Sequence, residues 1–180
     1  MKRMVGVLSI CLLILSVEAM AQAPQAPKPA PELKRLNYFL GTWNTEGDSK
    51  PGPWGPGGKF TSVDKNGWMK GNFFLLSLVN NKSSMGEIEE HAIMGYDADA
   101  KKYTYHAFNS NGDAVAAKGT VTGDTWTWLS EIKMGTTVLK SRFVVKEVSP
   151  TSYTFKYETL QDGKKWDTVA EGKSTKAAAK

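Results

Sequence analysis

The sequence predicts an all-β fold: one up-and-down antiparallel β-barrel of about ten strands, preceded by a short helix. Three observations carry this. From Gly41 onward, apolar and polar side chains alternate with a period of two. Turn-forming pairs recur at regular spacing through the same region. No helical-period segment interrupts the run, so each strand is expected to pair with its successor. Closing such a meander leaves no long exposed edge.

The chain opens with Met1-Lys2-Arg3, an apolar run from Val5 to Val17, and Ala19-Met20-Ala21. A cationic start, an apolar stretch and a small-x-small site are the three parts of a secretory signal peptide, assigned to residues 1–21. The run is shorter than the roughly 20 apolar residues a spanning helix needs, and no second long apolar run follows, so no transmembrane segment is expected. Cys11, the single cysteine, falls inside this segment and is preceded by Ile10 rather than a small residue, so a lipid anchor is not expected. Cleavage after Ala21 leaves residues 22–180 free of cysteine, which excludes disulfides, thiolate metal sites and cysteine nucleophiles. The domain must then be held by its core, and the remaining length suffices for one. The expected location is the periplasm or the exterior.

Removal of Lys2, Arg3 and Glu18 takes the formal charge from +5 to +4. The lysines are dispersed, and Arg35 and Arg142 are the only arginines beyond the leader. Arginine is the favoured base reader and phosphate fork, so the basic balance reads as a solvated surface and not as a nucleic-acid interface.

Residues 22–30 alternate Ala, Pro, Gln and Lys and form an extended tether. Leu33, Leu36 and Leu40 then recur at helical spacing, with Pro31 suited to a first turn and Gly41 to a left-handed stop. A helix over about 31–40 is expected to plug or flank the barrel. Strands follow at 41–48, 58–65, 68–80, 86–96, 102–109, 113–121, 124–133, 136–148, 152–161 and 164–173. The barrel domain therefore spans 31–173, and 174–180 is a basic tail. Asn66-Gly67, Asn111-Gly112 and Asp162-Gly163 carry the positive-φ chemistry of tight hairpins, and Gly123-Asp124 and Ser149-Pro150 are also turn-like. Lys50–Gly58, with three prolines and Trp54, cannot be a central strand. It is a loop, read either as a lip over the barrel mouth or as a segment pinned by Trp54.

Alternation assigns the faces. Trp126 and Trp128 share a side opposite Thr125 and Thr127; Tyr153, Phe155 and Tyr157 share a side opposite Thr154, Lys156 and Glu158. Leu139, Phe143 and Val145 oppose Lys140, Arg142 and Lys146. The expected lumen is aromatic-rich. In the third strand Phe73, Phe74, Leu75, Leu76 and Leu78 are apolar on both faces, so one face is expected to meet the lumen and the other the helix.

Leu36-Asn37-Tyr38-Phe39-Leu40-Gly41-Thr42-Trp43, a helix leading into a Gly-x-Trp strand, resembles the entry of calycin barrels such as lipocalins and nitrobindins. Met94-Gly95-Tyr96-Asp97, Lys101-Lys102-Tyr103, Gly123-Asp124-Thr125-Trp126, Ser141-Arg142-Phe143 and Asp162-Gly163-Lys164-Lys165-Trp166 together resemble the bacterial domain of unknown function 1579, over about residues 36–173. The resemblance implies a lipocalin-like barrel and brings no established activity or catalytic residue. Nitrobindin-like proteins bind haem through a histidine late in the barrel; this chain has none after His106, and no cofactor is expected. Lipocalins also cover the Gly-x-Trp indole with a basic residue near the barrel end; Lys164, Lys165 and Arg142 are the candidates.

Chemistry-bearing residues are sparse. His91 and His106 lie on consecutive strands; they share a face if Asp97 pairs with Ala100 or Lys102, and point to opposite faces if the register slips by one residue. Glu87 and Glu89 share the His91 face, yet no chelating spacing marks a metal site, and none is expected. Glu87, Glu89 and Glu90 read as a solvated acidic strand. No nucleophile elbow, phosphate loop or dinucleotide fingerprint is present. The leading expectation is an exported, non-enzymatic barrel holding a small, mainly hydrophobic ligand. Trp43, Trp126, Trp128, Tyr153, Phe155 and Tyr157 would line the cavity or its floor. The alternatives are an enzyme acting through Tyr105, His106 or the Glu87–His91 group, and a surface interaction module using the 50–58 loop.

Overall fold

The computed structural model describes residues 27–178 except positions 54, 135 and 162. The expected signal segment and most of the expected tether lie outside the described residues. Ten strands form one closed antiparallel barrel: β1 Gly41–Ser49, β2 Gly58–Trp68, β3 Leu75–Ser83, β4 Gly86–Asp97, β5 Lys102–Asn109, β6 Ala114–Thr122, β7 Thr125–Met134, β8 Thr137–Ser149, β9 Ser152–Gln161 and β10 Lys165–Lys176. Each strand pairs with the next, and β1 closes on β10 from Trp43 opposite Lys176 to Ser49 opposite Ala170. The register slips by one residue at Val148 and at Val169, and both slips are bulges that bend their strands.

A nine-residue 3₁₀-helix, Pro31–Phe39, closes one end. Its buried residues Leu33, Leu36 and Phe39 recur every third position, the period of a 3₁₀ turn. The inward partner of Leu33 and Leu36 is therefore Phe39, and Leu40 is only half-buried. Polar ties hold the plug to strands on several sides of the barrel. The Trp43 indole and the Asn66 amide both donate to the Phe39 carbonyl at 2.8 Å. Trp68 donates to Asn37 Oδ1 at 2.9 Å, and Tyr103 donates to the Glu32 carbonyl at 2.9 Å. Arg35 pairs with Glu147 at 2.7 Å and donates to the Gly123 carbonyl at 3.2 Å.

Three expectations change. Asn66-Gly67 is not a hairpin turn. It continues β2, paired with Ser77 and Leu76, because the Asn66 side chain is committed to the plug. The turn falls later, at Met69–Phe74, where Gly71 (φ 94°) and Asn72 (φ 59°) supply the left-handed backbone. The third strand consequently begins at Leu75, and the helix does not cover its outer face: Phe74 and Leu76 remain exposed. Finally, β10 runs past Lys173 to Lys176, so Ser174, Thr175 and Lys176 belong to the barrel and not to a tail. Ser174 is fully buried and accepts a hydrogen bond from Thr45 at 3.0 Å.

Candidate lumen site

Inward residues of the ten strands enclose a cavity of about 560 Å³ above the plug. Two walls of different chemistry face each other. One is aromatic and aliphatic: Trp128 on β7, Phe143 and Val145 on β8, and Tyr153, Phe155 and Tyr157 on β9. Phe143 and Phe155 stack with centroids 5.3 Å apart. Glycine makes this wall thin. Gly119 stands opposite Trp128, and a Cβ there would come within 2.5 Å of the indole; the ring lies flat against the β6 backbone. Gly172 stands opposite Phe155, where a Cβ would collide with the β1 backbone at Glu46 and come within 2.8 Å of the ring. Rings laid against the wall leave volume in the middle.

The site residues expected from sequence divide in two. Trp128, Tyr153, Phe155 and Tyr157 line the cavity. Trp43 and Trp126 are 0% exposed and sit below it. Trp126 packs on Phe39 at 5.1 Å and on Tyr103 at 4.9 Å, and its indole donates to Glu147 at 2.7 Å. The cation over the Trp43 ring is Lys176, at 4.8 Å, which also donates to the Tyr38 carbonyl at 3.1 Å. None of the three anticipated residues takes this role: Arg142 instead covers Trp166 at 4.4 Å, on the outer wall, and pairs with Glu158 at 2.5 Å.

The opposite wall is polar, and sequence reading had not anticipated it. Ser62, Asp64 and Asn66 on β2, Ser77 and Asn81 on β3, Glu90 on β4 and Tyr105 on β5 all line the cavity. Asp64 and Glu90 both flank Val79 across neighbouring strands, Asp64 opposite it on β2 and Glu90 opposite it on β4. Ser62 donates to Asp64 at 2.7 Å, and Tyr105 donates to Glu90 at 2.6 Å. Burial pushes the Asp64 carboxyl up to about 6; the Ser62 hydrogen bond pulls against this and the Glu90 charge adds to it. The Tyr105 phenol is driven well above its ordinary value, by burial first and then by the charge and hydrogen bond of Glu90. Period-two alternation places Glu90 inward as soon as Ala92 and Met94 are taken as core. The Glu87-to-Glu90 run masked that signal by suggesting a solvated strand.

His91 and His106 do share a face, because Asp97 pairs with Lys102, and that face is the outer one. Both histidines are exposed, and His91 lies 2.9 Å from Glu89. Among the described residues, no group of three or more histidine, cysteine, aspartate or glutamate side chains could hold a metal ion. No described helix is long and apolar enough to cross a membrane. Trp54 lies outside the described residues, so its expected place on the mouth loop stays an expectation.

The crystal structure of Rv2717c from M. tuberculosis aligns with a TM-score of 0.57 at 14% identity, covering 84% of this chain and 100% of that one. That likeness concerns the fold alone. No curated protein matches the sequence. A family model described as a protein of unknown function, DUF1579, matches residues 28–176, which is the whole barrel with its plug, and the chain belongs to that family.

Proposed function

We propose that the barrel binds a small, mainly apolar molecule in its lumen without transforming it, and that it does so outside the cytoplasm. The observation that carries the binding reading is the cavity of about 560 Å³ behind the aromatic wall. This size falls within the range of ligand pockets, which are largely apolar with a few convergent polar groups. A barrel filled by its own side chains would leave no such space. The export reading rests on the leader pattern of residues 1–21.

An enzymatic reading has less support. Both histidines face solvent on the outer wall, away from the lumen. Tyr105, the remaining candidate, is a weaker acid than a free phenol, and its proton is engaged by Glu90. A general acid works best with a pKa near the operating pH.

Native mass spectrometry of the protein purified from an exporting host tests the proposal. The expected result is a reproducible excess mass of a few hundred daltons that is lost on denaturation and recovered in an organic extract. Only a bare mass, together with no binding of any apolar probe, would overturn it.

A further inference from the structure

The cavity's charge is one-sided. Its wall carries two ionisable acids, Asp64 and Glu90, and no lysine, arginine or histidine among the described lining residues. Acceptors are in surplus there. Asp64 uses one carboxylate oxygen for Ser62, and Glu90 uses one for Tyr105, leaving each a second oxygen. Asn66, also on the wall, is oriented by its donation to the Phe39 carbonyl, and its Oδ1 is buried with no donor. The aromatic wall reaches this corner: Tyr105 bonds Glu90 through its hydroxyl, and its ring centroid is 5.9 Å from that of Trp128. Two carboxylates that each keep an oxygen outside these hydrogen bonds, and a buried amide oxygen without a donor, next to ring faces, match a cation that is itself partly apolar. Ring faces attract ammonium groups, the more so where water is excluded, and a buried carboxylate needs a positive or donating partner.

Resting on the ligand-binding reading above, we propose that the ligand is a cationic amphiphile: an alkyl or aromatic body along the Trp128–Phe155 wall, and an ammonium head held between Asp64 and Glu90. The cavity then selects by charge as well as by shape. The outside of the molecule argues the other way. The chain is net basic, so its surface field favours anions. A preference for cations must therefore come from the lumen.

Three probes of one chain length separate the outcomes: decyltrimethylammonium, decan-1-ol and decyl sulfate, each titrated below its micellar range at pH 8 and followed by tryptophan fluorescence and calorimetry. The wild-type protein is expected to bind the ammonium probe at least tenfold more tightly than the alcohol, and the sulfate most weakly. In the double variant Asp64→Asn, Glu90→Gln the ammonium probe should fall to the level of the alcohol, whose own affinity should hold. Retained alcohol binding also shows that the variant is folded with its cavity intact. Equal binding of ammonium and alcohol by the wild type, or an ammonium preference that survives in the double variant, would overturn the charge proposal and leave the apolar cavity standing. Failure of all three probes, together with a bare native mass, would instead overturn the ligand-binding reading itself.

Discussion

Asp64 shows what the polar wall costs the fold. Its carboxyl titrates near 3.8 when free and at about 6 in the barrel, chiefly because burial disfavours the charge. The folded state therefore binds the proton more tightly than the unfolded chain. The stabilisation from this group is fully present below pH 4 and is lost as the pH rises through 6. The shift corresponds to roughly 3 kcal/mol at neutral pH. The groups facing Asp64 are Ser62, Glu90, Tyr105 and Tyr153, and none of them is a cation that could offset it. Asp64→Asn keeps an acceptor for Ser62 and removes the charge. It should raise stability to urea by about 1–3 kcal/mol at pH 7.5 and leave it within about 0.5 kcal/mol of wild type at pH 4. Comparing variant with wild type at each pH cancels the titration of groups that do not interact with Asp64. A variant destabilised equally at both pH values would contradict the assignment. A residue that weakens the fold at working pH and lines a cavity is more readily understood as a binding group than as a structural one.

At the scale of elements, the plug governs whether there is a cavity floor. Leu36 is 0% exposed at the centre of the Leu33–Leu36–Phe39 face, and Leu36→Ala should cost about 3 kcal/mol, read as a lower denaturation midpoint with an unchanged slope. A cost under 1 kcal/mol would mean that the helix merely rests on the barrel. The elements themselves were largely legible in the sequence. Alternation and glycine turns located ten strands and the closed order, since both follow from local backbone chemistry. What failed was non-local. Asn66-Gly67 has the composition of a turn, yet its ladder pairing with β3 and the Asn66 bond to Phe39, across 27 positions, hold it in β2. Asp64 lies in a strand where Ser62, Asp64 and Asn66 are the inward residues and Val63 is exposed. A reading that equates apolar with inside reverses that face. The aromatic wall obeys the rule; the acidic wall breaks it, because its polar side chains border an open cavity and not a packed core.

Closure is the property of the whole molecule that no single strand supplies. The seam pairs β1 with β10 at seven positions, from Trp43 opposite Lys176 to Ser49 opposite Ala170. Three of the seven involve residues beyond Lys173, and these carry the side-chain ties: Ser174 on Thr45, and Lys176 over Trp43 and on Tyr38. The last three residues of β10 thus join the barrel seam to the floor of the cavity. A chain ending at Lys173 loses the buried hydroxyl pair, the cation over the indole and the last ladder bonds, together worth on the order of 4 kcal/mol. Lys176→Ala alone should cost about 1 kcal/mol. Amide exchange gives the sharper reading. In the truncated chain, exchange should accelerate selectively at Trp43–Thr45 and in the plug, with β4 to β7 protected as before. Uniform acceleration across all ten strands would mean that the seam is no weaker than the rest and that the barrel opens only by global unfolding. Selective opening would identify the seam and plug together as the place where the floor of this cavity gives way first.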